Sequence, residues 1–428
     1  MVTLEAILGY GNLKEAALAV RRNKGAAGVD GIKTKELVKW FYDHPYKLTE
    51  SIKSGTYKPQ PIKRVYIPKP NGEKRPLGIS TVVDRTVQAA VANVLRDEYE
   101  SQFSDGSHGF RPQRGCRTAI NQALKYANEG YTYAIDLDLR KFFDTVNHSK
   151  MLQVLYKTIK DPRVMRLISR MLRVKIMEEG KCTKSQIGLP QGSALSPVLA
   201  NILLNELDQE LDRRGLHFIR YADDLLILCK SQKAAERVLI SISRFIEEKL
   251  FLQINKEKKQ VSRLSPKVKF LGFGFYQNRN GTWTAIVHAK SRAKLRDKMR
   301  ELLDRRCPRG IEATKELFNS ILRGWVNYYG SAISKSYGAS EDGWIRRRIR
   351  QIYLKQWKRN WTRFVKLWGM HDNKPEMEYR CAEIAFSHET YWARAKTSNH
   401  VLTNNILYKE GWQTIAALKR NTESAVLI

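Results

Sequence analysis

The stretch "FIRYADDLLILCK", Phe218 to Lys230, sets two adjacent carboxylates, Asp223 and Asp224, between two short apolar runs. Such runs read as strands that seek burial, whereas adjacent like charges belong in a solvated turn. A strand, a tight turn and a returning strand reconcile the two, with both acids at the tip of a hairpin. A second acidic strand lies earlier in the chain. In "AIDLDLRKFFDTVNH", period-two alternation puts Asp136 and Asp138 on one face. If the two strands are neighbours, Asp138 meets Asp223 across the sheet. A cluster of buried carboxylates is untenable unless it is protonated or bound to metal. Mg2+ suits one or two carboxylates together with phosphate oxygens and water, and a pair of such ions serves in-line phosphoryl transfer.

The charge balance names the class of partner. Lys and Arg total 76 against 43 Asp and Glu, a net charge of +33 over 428 residues. That excess exceeds what solubility requires and implies a polyanion, nucleic acid first. An anionic membrane is the second candidate, but no apolar run approaches the roughly 18 residues of a spanning helix. The opening "MVTLEAILGYGNLKEAALAVRRNKG" reads as short amphipathic helices and not as a signal peptide. At 42% hydrophobic, the chain is globular and long enough for two or three domains. Cys116, Cys182, Cys229, Cys307 and Cys381 form no C-x-x-C pair, which argues against a zinc ribbon or finger and for reduced thiols in a cytosolic protein.

Along the chain, Lys63 to Thr81 reads as a basic hairpin. "RVYIP" alternates, Asn71-Gly72 turns, and "RPLGI" returns. Tyr131 to Leu139 reads as a strand. "SPVLANILLNELDQELDRRG" reads as a helix capped by Ser196 and ended by Gly215, with Leu199, Leu203, Leu207 and Leu211 as its apolar stripe. After about residue 290 strand signals fade. Gly343 to Lys366 then carries nine cations and no acid, with Trp344, Tyr353, Trp357, Trp361 and Phe364 interleaved. Like charges crowded on one helical segment repel unless phosphates neutralise them. The aromatics are therefore expected to face the core, and the arginines nucleic acid.

The order "DLDLRKFF", "LPQGSALSPVLANILL", "YADD", "INKEKK", "FLGFGF" resembles the polymerase motifs of a reverse transcriptase. "NKGAAGVDGI", "IPKPNGEKRPLGISTVVDR", "SHGFRPQRG", "RGWVNYY" and "GWIRRRIRQIYLKQWK" narrow the resemblance to the reverse transcriptase/maturase encoded by bacterial group II introns, in its compact class C style. The resemblance runs from about residue 10 to 365 and is weaker beyond. It implies an α+β right-hand polymerase. Fingers and palm occupy residues 1 to 290, an α-helical thumb 291 to 365, and a small basic DNA-binding-like region 366 to 428, without an endonuclease domain.

The resemblance also implies roles for particular residues. Asp138 and Asp223 become metal ligands, with the Leu139 carbonyl as an auxiliary and Asp224 completing the acidic site. Two Mg2+ ions are the cofactor, with Mn2+ as a substitute. Phe143 becomes the gate against a ribose 2′-OH. Lys63, Lys69 and Arg75 bind the triphosphate, a role the basic hairpin suits. Gln191 lines the nucleotide pocket, and Lys258 donates a proton to the leaving pyrophosphate. Gly272, within "FLGFGF", belongs to the segment that positions the primer 3′ end. Arg111, Arg114, Arg346, Arg347, Arg350, Lys355 and Lys358 contact nucleic acid. Asp136 and Asp144 are structural. Ser193 and Arg140 depart from the family's usual residues, but neither departure removes a metal ligand.

The implied activity is RNA-directed DNA synthesis from dNTPs on an RNA template with a DNA or RNA primer. Binding of a group II intron RNA for splicing, and of target DNA for mobility, would accompany it in a bacterial cytoplasm at the nucleoid. The alternatives are an intron-free relative serving in DNA repair or phage defence, and an RNA-binding maturase without polymerisation.

Overall fold

The computed structural model describes residues 1–68, 72–184, 187–255, 260–390 and 395–424. The expected triphosphate ligand Lys69, the turn residue Asn71 and the expected proton donor Lys258 lie outside the described residues. The chain divides into two compact units, Met1–Leu264 and Ser265–Ile428.

Among the described residues, the first unit holds two four-stranded sheets. One is built from β1 (Ile62–Pro68), β2 (Lys74–Ile79), β4 (Lys175–Glu178) and β5 (Lys181–Lys184), in the order β2-β1-β4-β5. The basic hairpin is present as β1 and β2, antiparallel from Lys63 opposite Ile79 to Pro68 opposite Lys74. The other sheet is built from β3 (Tyr133–Asp138), β6 (His217–Tyr221), β7 (Asp224–Cys229) and β8 (Gln260–Arg263), in the order β6-β7-β3-β8. Both acidic strands are therefore central and adjacent. Ile135 opposite Ile227 and Leu137 opposite Leu225 are buried and face the unit's main core. The alternating residues Asp136 and Asp138 take the other face. A one-residue slip would drive these acids into the core, so the apolar pattern fixes the register.

The helix Ser196–Arg213 presses its stripe into the same core, with Leu199, Leu203, Leu207 and Leu211 all buried. Ser196 does not cap it. Its hydroxyl donates to the Pro190 carbonyl at 2.7 Å, and the buried Ser193 hydroxyl accepts the Leu195 N–H at 3.2 Å.

In the second unit, β9 (Phe273–Gln277) and β10 (Trp283–Val287) form an antiparallel pair, followed by helices. The division thus falls ahead of residue 290. β9 pairs only with β10 among the described strands, and its Phe273 ring packs on Tyr328 and Tyr329 of the helix Ile311–Tyr329, with ring centroids 5.6 and 5.0 Å away. The basic tract is not one helix. It is divided between Lys335–Gln356 and Asn360–Gly369, with a break at residues 357–359. Among the described residues, no helix is long and apolar enough to cross a membrane.

Candidate active site

β6 and β7 are joined by a two-residue turn, Ala222-Asp223, which closes on the pair Tyr221–Asp224. Ala222 adopts φ 57°, left-handed backbone that costs a non-glycine residue energy and persists only where the surroundings hold it. They do so here. Gly109 lies so close that a Cβ added to it would stand 2.5 Å from the Ala222 nitrogen. The Arg220 guanidinium donates to the Ala222 carbonyl at 3.1 Å.

The turn explains which acids meet. Asp138 stands directly opposite Asp224, not Asp223, because the loop takes up Ala222 and Asp223 before the strand resumes. Opposed residues project from one face of an antiparallel pair, so Asp138 and Asp224 share a face at the end of the sheet, with Asp223 beside them in the turn. The expectation of buried carboxylates is corrected: Asp138 and Asp223 are half-buried and Asp224 is exposed, because the sheet ends there. Asn255 donates to Asp138 Oδ2 at 3.2 Å, and its backbone N–H to the Asp138 carbonyl at 2.9 Å. Leu139 is buried and bridges Ile254. Among the described residues, no three His, Cys, Asp or Glu side chains are gathered into a metal-holding group. The donor chemistry of this sheet end, carboxylate and carbonyl oxygen, is that of a hard divalent cation.

Behind the turn lies a network that the motif reading missed. Arg220 is 1% exposed. Its Nε donates to Asp208 Oδ1 at 2.7 Å, and its Nη atoms to Asn201 Oδ1 at 3.0 Å and Ser107 Oγ at 2.8 Å. Burial pushes the Asp208 carboxyl up, against the pull of Arg220. The "SHGF" segment is stitched to the same strand. His108 N–H donates to the Arg220 carbonyl, and Arg220 N–H to Gly106, both at 2.8 Å. Asn201 Nδ2 holds the Gly109 carbonyl at 2.8 Å. The signal was present in "FIRY", where a charge within an apolar strand demands a buried partner.

Gln191 is tied in three directions. Its amide donates to Asp144 Oδ1 at 3.0 Å, its side-chain oxygen accepts Arg75 Nε at 3.3 Å, and its carbonyl accepts Gly78 N–H at 2.7 Å. Asp144, expected to be structural, thus orients Gln191. Gly192, at φ 103°, leaves room for β2: a Cβ there would stand 2.6 Å from the Gly78 carbonyl. The register puts Lys63 and Arg75, both exposed, on one face of the β1–β2 hairpin. Phe143 is partly buried, edge-on to Phe142 with centroids 5.2 Å apart. Arg140 is exposed, so its departure from the family pattern lies at the surface.

Several of the residues expected at nucleic acid have partners within the chain. Arg111 is buried, and its guanidinium donates to Glu100 Oε1 at 2.8 Å and to the Ser104 and Ser107 carbonyls at 2.6 and 3.0 Å. It braces the loop from within. Arg114 is half-buried and pairs with the exposed Asp105 at 2.7 Å. In the second unit, Arg350 is buried and donates to the Leu402 carbonyl at 2.7 Å and Asn404 Oδ1 at 3.2 Å. Burial, aided by Arg346 and Arg347, lowers its pKa to about 10. Arg363 is likewise buried, whereas Trp361 is 66% exposed, so the division into inward aromatics and outward cations fails at these positions. Arg346, Arg347 and Lys355 are half-buried and Lys358 is exposed. Gly272, at φ 85°, packs beneath the Tyr329 hydroxyl, and its carbonyl accepts Ser291 Oγ at 2.8 Å. The need for glycine there follows from packing.

Comparison with known proteins agrees with this architecture. The family described as reverse transcriptase (RNA-dependent DNA polymerase) matches residues 67–275, which contain both acidic strands and the turn. The group II intron, maturase-specific domain matches residues 292–368. Protein YkfC of Escherichia coli is 32% identical over 63% of this chain and 81% of its own length. The group II intron-encoded protein LtrA of Lactococcus lactis is 30% identical over 67% of this chain. The COX1/OXI3 intron 2 protein of Saccharomyces cerevisiae is 28% identical over 62% of this chain and 37% of its own length. The chain spans about 63% of the length of the lactococcal relative.

Fold and sequence together place the chain among the reverse transcriptases. Within that class it belongs to the family of group II intron-encoded reverse transcriptases with a maturase domain.

Proposed function

We propose that the protein is an RNA-directed DNA polymerase that also binds a group II intron RNA, assisting its splicing and its mobility by target-primed cDNA synthesis. The observation that carries this reading is the register: Asp138 opposite Asp224, with Asp223 in a braced turn beside them, inside the segment that matches the reverse transcriptase family. Asp138, Asp223 and Asp224, with the Leu139 carbonyl, would hold divalent magnesium. The metal would supply activation of the primer 3′-OH and neutralisation of phosphate charge. Lys63 and Arg75 would meet the triphosphate. Gln191, held between Arg75 and Asp144, would fix the nucleotide's position. Phe143 would close the sugar pocket. The maturase match and the intron-encoded relatives support the RNA-binding half of the proposal.

The test has two arms. The full chain, given an RNA template, an annealed DNA primer, dNTPs and Mg2+, is expected to extend the primer and to stop when the metal is chelated. An intron RNA of this family is expected to splice faster with the protein than without it. Absence of metal-dependent extension would overturn the polymerase assignment, and absence of any splicing effect would overturn the maturase assignment.

A further inference from the structure

The second unit contains a cleft of about 510 Å3 whose lining, among the described residues, includes no acid. Arg346, Arg347 and Arg350 of the helix Lys335–Gln356 line it together with Asn399, Asn404 and Asn405 from the chain that packs back on that helix. Arg350 is the fixed member. It is buried, and its bonds to Leu402 and Asn404 join the helix to the returning chain. Arg346 and Arg347 are half-buried, and the three asparagines are exposed. Asp342, one turn before Arg346, accepts the backbone N–H groups of Ile415 and Ala416 at 2.8 and 3.2 Å. Burial, with the positive charges of Arg346 and Arg347, depresses Arg350, while the Asp342 carboxylate feels the charge of Arg346.

We propose that this cleft seats an unpaired nucleotide of a nucleic-acid strand, with its phosphates on Arg346 and Arg347 and its base edge on the asparagine amides. Guanidinium groups match phosphate oxygens with two parallel donors each. An asparagine amide offers a donor and an acceptor together, as an exposed base edge requires. The cleft has the size of a small-molecule pocket, room for one or two nucleotides and not for a duplex. Single-stranded loops and ends are where a strand can splay a base into such a recess. The proposal rests on the reading of the chain as a nucleic-acid enzyme, but its readout is binding and is separable from polymerisation at Asp223.

The experiment compares a short single-stranded RNA with a blunt RNA–DNA duplex of equal length, across a salt series, by fluorescence anisotropy. The proteins are wild type, Arg346→Gln/Arg347→Gln, and Asn399→Ala/Asn405→Ala. The arginine double variant is expected to lower the salt slope on the single strand by about 1.4, at about 0.7 per phosphate contact, and to leave the duplex slope unchanged. The asparagine variant is expected to keep the slope, lose several-fold in affinity and lose preference among homopolymers. Competition by free mononucleotides is expected to be weak. An unchanged single-strand slope in the arginine variant would overturn the proposal. So would an equal drop on the duplex, or displacement of the oligonucleotide by mononucleotide at low excess.

Discussion

Asp223 and Arg350 each lie close to like charges in the sequence, yet the fold treats them in opposite ways. Asp223 sits half-exposed in a two-residue turn, and Arg350 is buried under the chain around Leu402. The difference teaches how far local pattern reaches. A strand has two faces, so alternation and one tight turn determine where each acid of the hairpin goes. A helix is covered by whatever packs on it. Of the cations between Gly343 and Lys366, Arg350 is buried against Leu402, 52 positions further on, and Arg363 against Ala385, 22 positions further on. The same contrast appears within the first unit. Arg220, three residues before Asp223, is locked inside by Asp208, Asn201 and Ser107.

The largest expected effect tests that lock. Arg220→Met leaves Asp208 buried without its counter-charge, and loss of one partner of such a pair costs about 3–5 kcal/mol. Urea melts are expected to show that loss, and Asp208→Asn added to Arg220→Met is expected to recover part of it. A melt like wild type would mean that the buried pair does not hold the turn.

Phe143→Ala probes the segment that follows the acidic strand, five residues past Asp138. Enlarging the sugar pocket is expected to cut discrimination against rNTPs by about tenfold or more, the scale on which apolar pockets select. Paired kcat/KM values for a dNTP and its ribonucleotide measure it. Unaltered discrimination would assign the ring to the core, where Phe142 already is.

The contrast within the basic tract is smaller. Arg350→Met is expected to cost about 1–3 kcal/mol, because it leaves the Leu402 carbonyl without its donor. Arg347→Gln is expected to stay within about 0.5 kcal/mol of wild type. Equal melting temperatures for the two variants would erase the distinction between the buried and the half-buried arginine. Smallest is Gln191→Ala, which removes the link from Asp144 to Arg75. A hydrogen bond worth about 1 kcal/mol corresponds to a rise of roughly fivefold in KM for dNTP. Steady-state kinetics with kcat reduced but KM unmoved would remove Gln191 from nucleotide binding.

The acidic strands, the basic hairpin and the leucine stripe of Ser196–Arg213 were legible because each is a local periodicity backed by a turn or an apolar face. The pairing of Asp138 with Asp224 in place of Asp223 was not, since it depends on how many residues the turn consumes. A nucleic-acid contact for Arg111 follows only from the resemblance carried by "SHGFRPQRG". Its partners Glu100, Ser104 and Ser107 are close in sequence, but only the folded loop turns them inward. Ser193 departs from the residue usual in the family at this position. The fold uses it as a buried bridge from Gln88 to the Leu195 N–H, which explains why a hydroxyl is accommodated there.

The central claim is that the acidic hairpin performs polymerisation while the basic surfaces bind nucleic acid. It is tested most directly by measuring, side by side, RNA-templated primer extension in Mg2+ and RNA affinity for wild type and Asp223→Ala. Loss of a metal-holding carboxylate removes several kcal/mol of transition-state stabilisation, about a thousandfold or more in rate. The account predicts that fall in extension, with RNA affinity unchanged. Extension near the wild-type rate would contradict it.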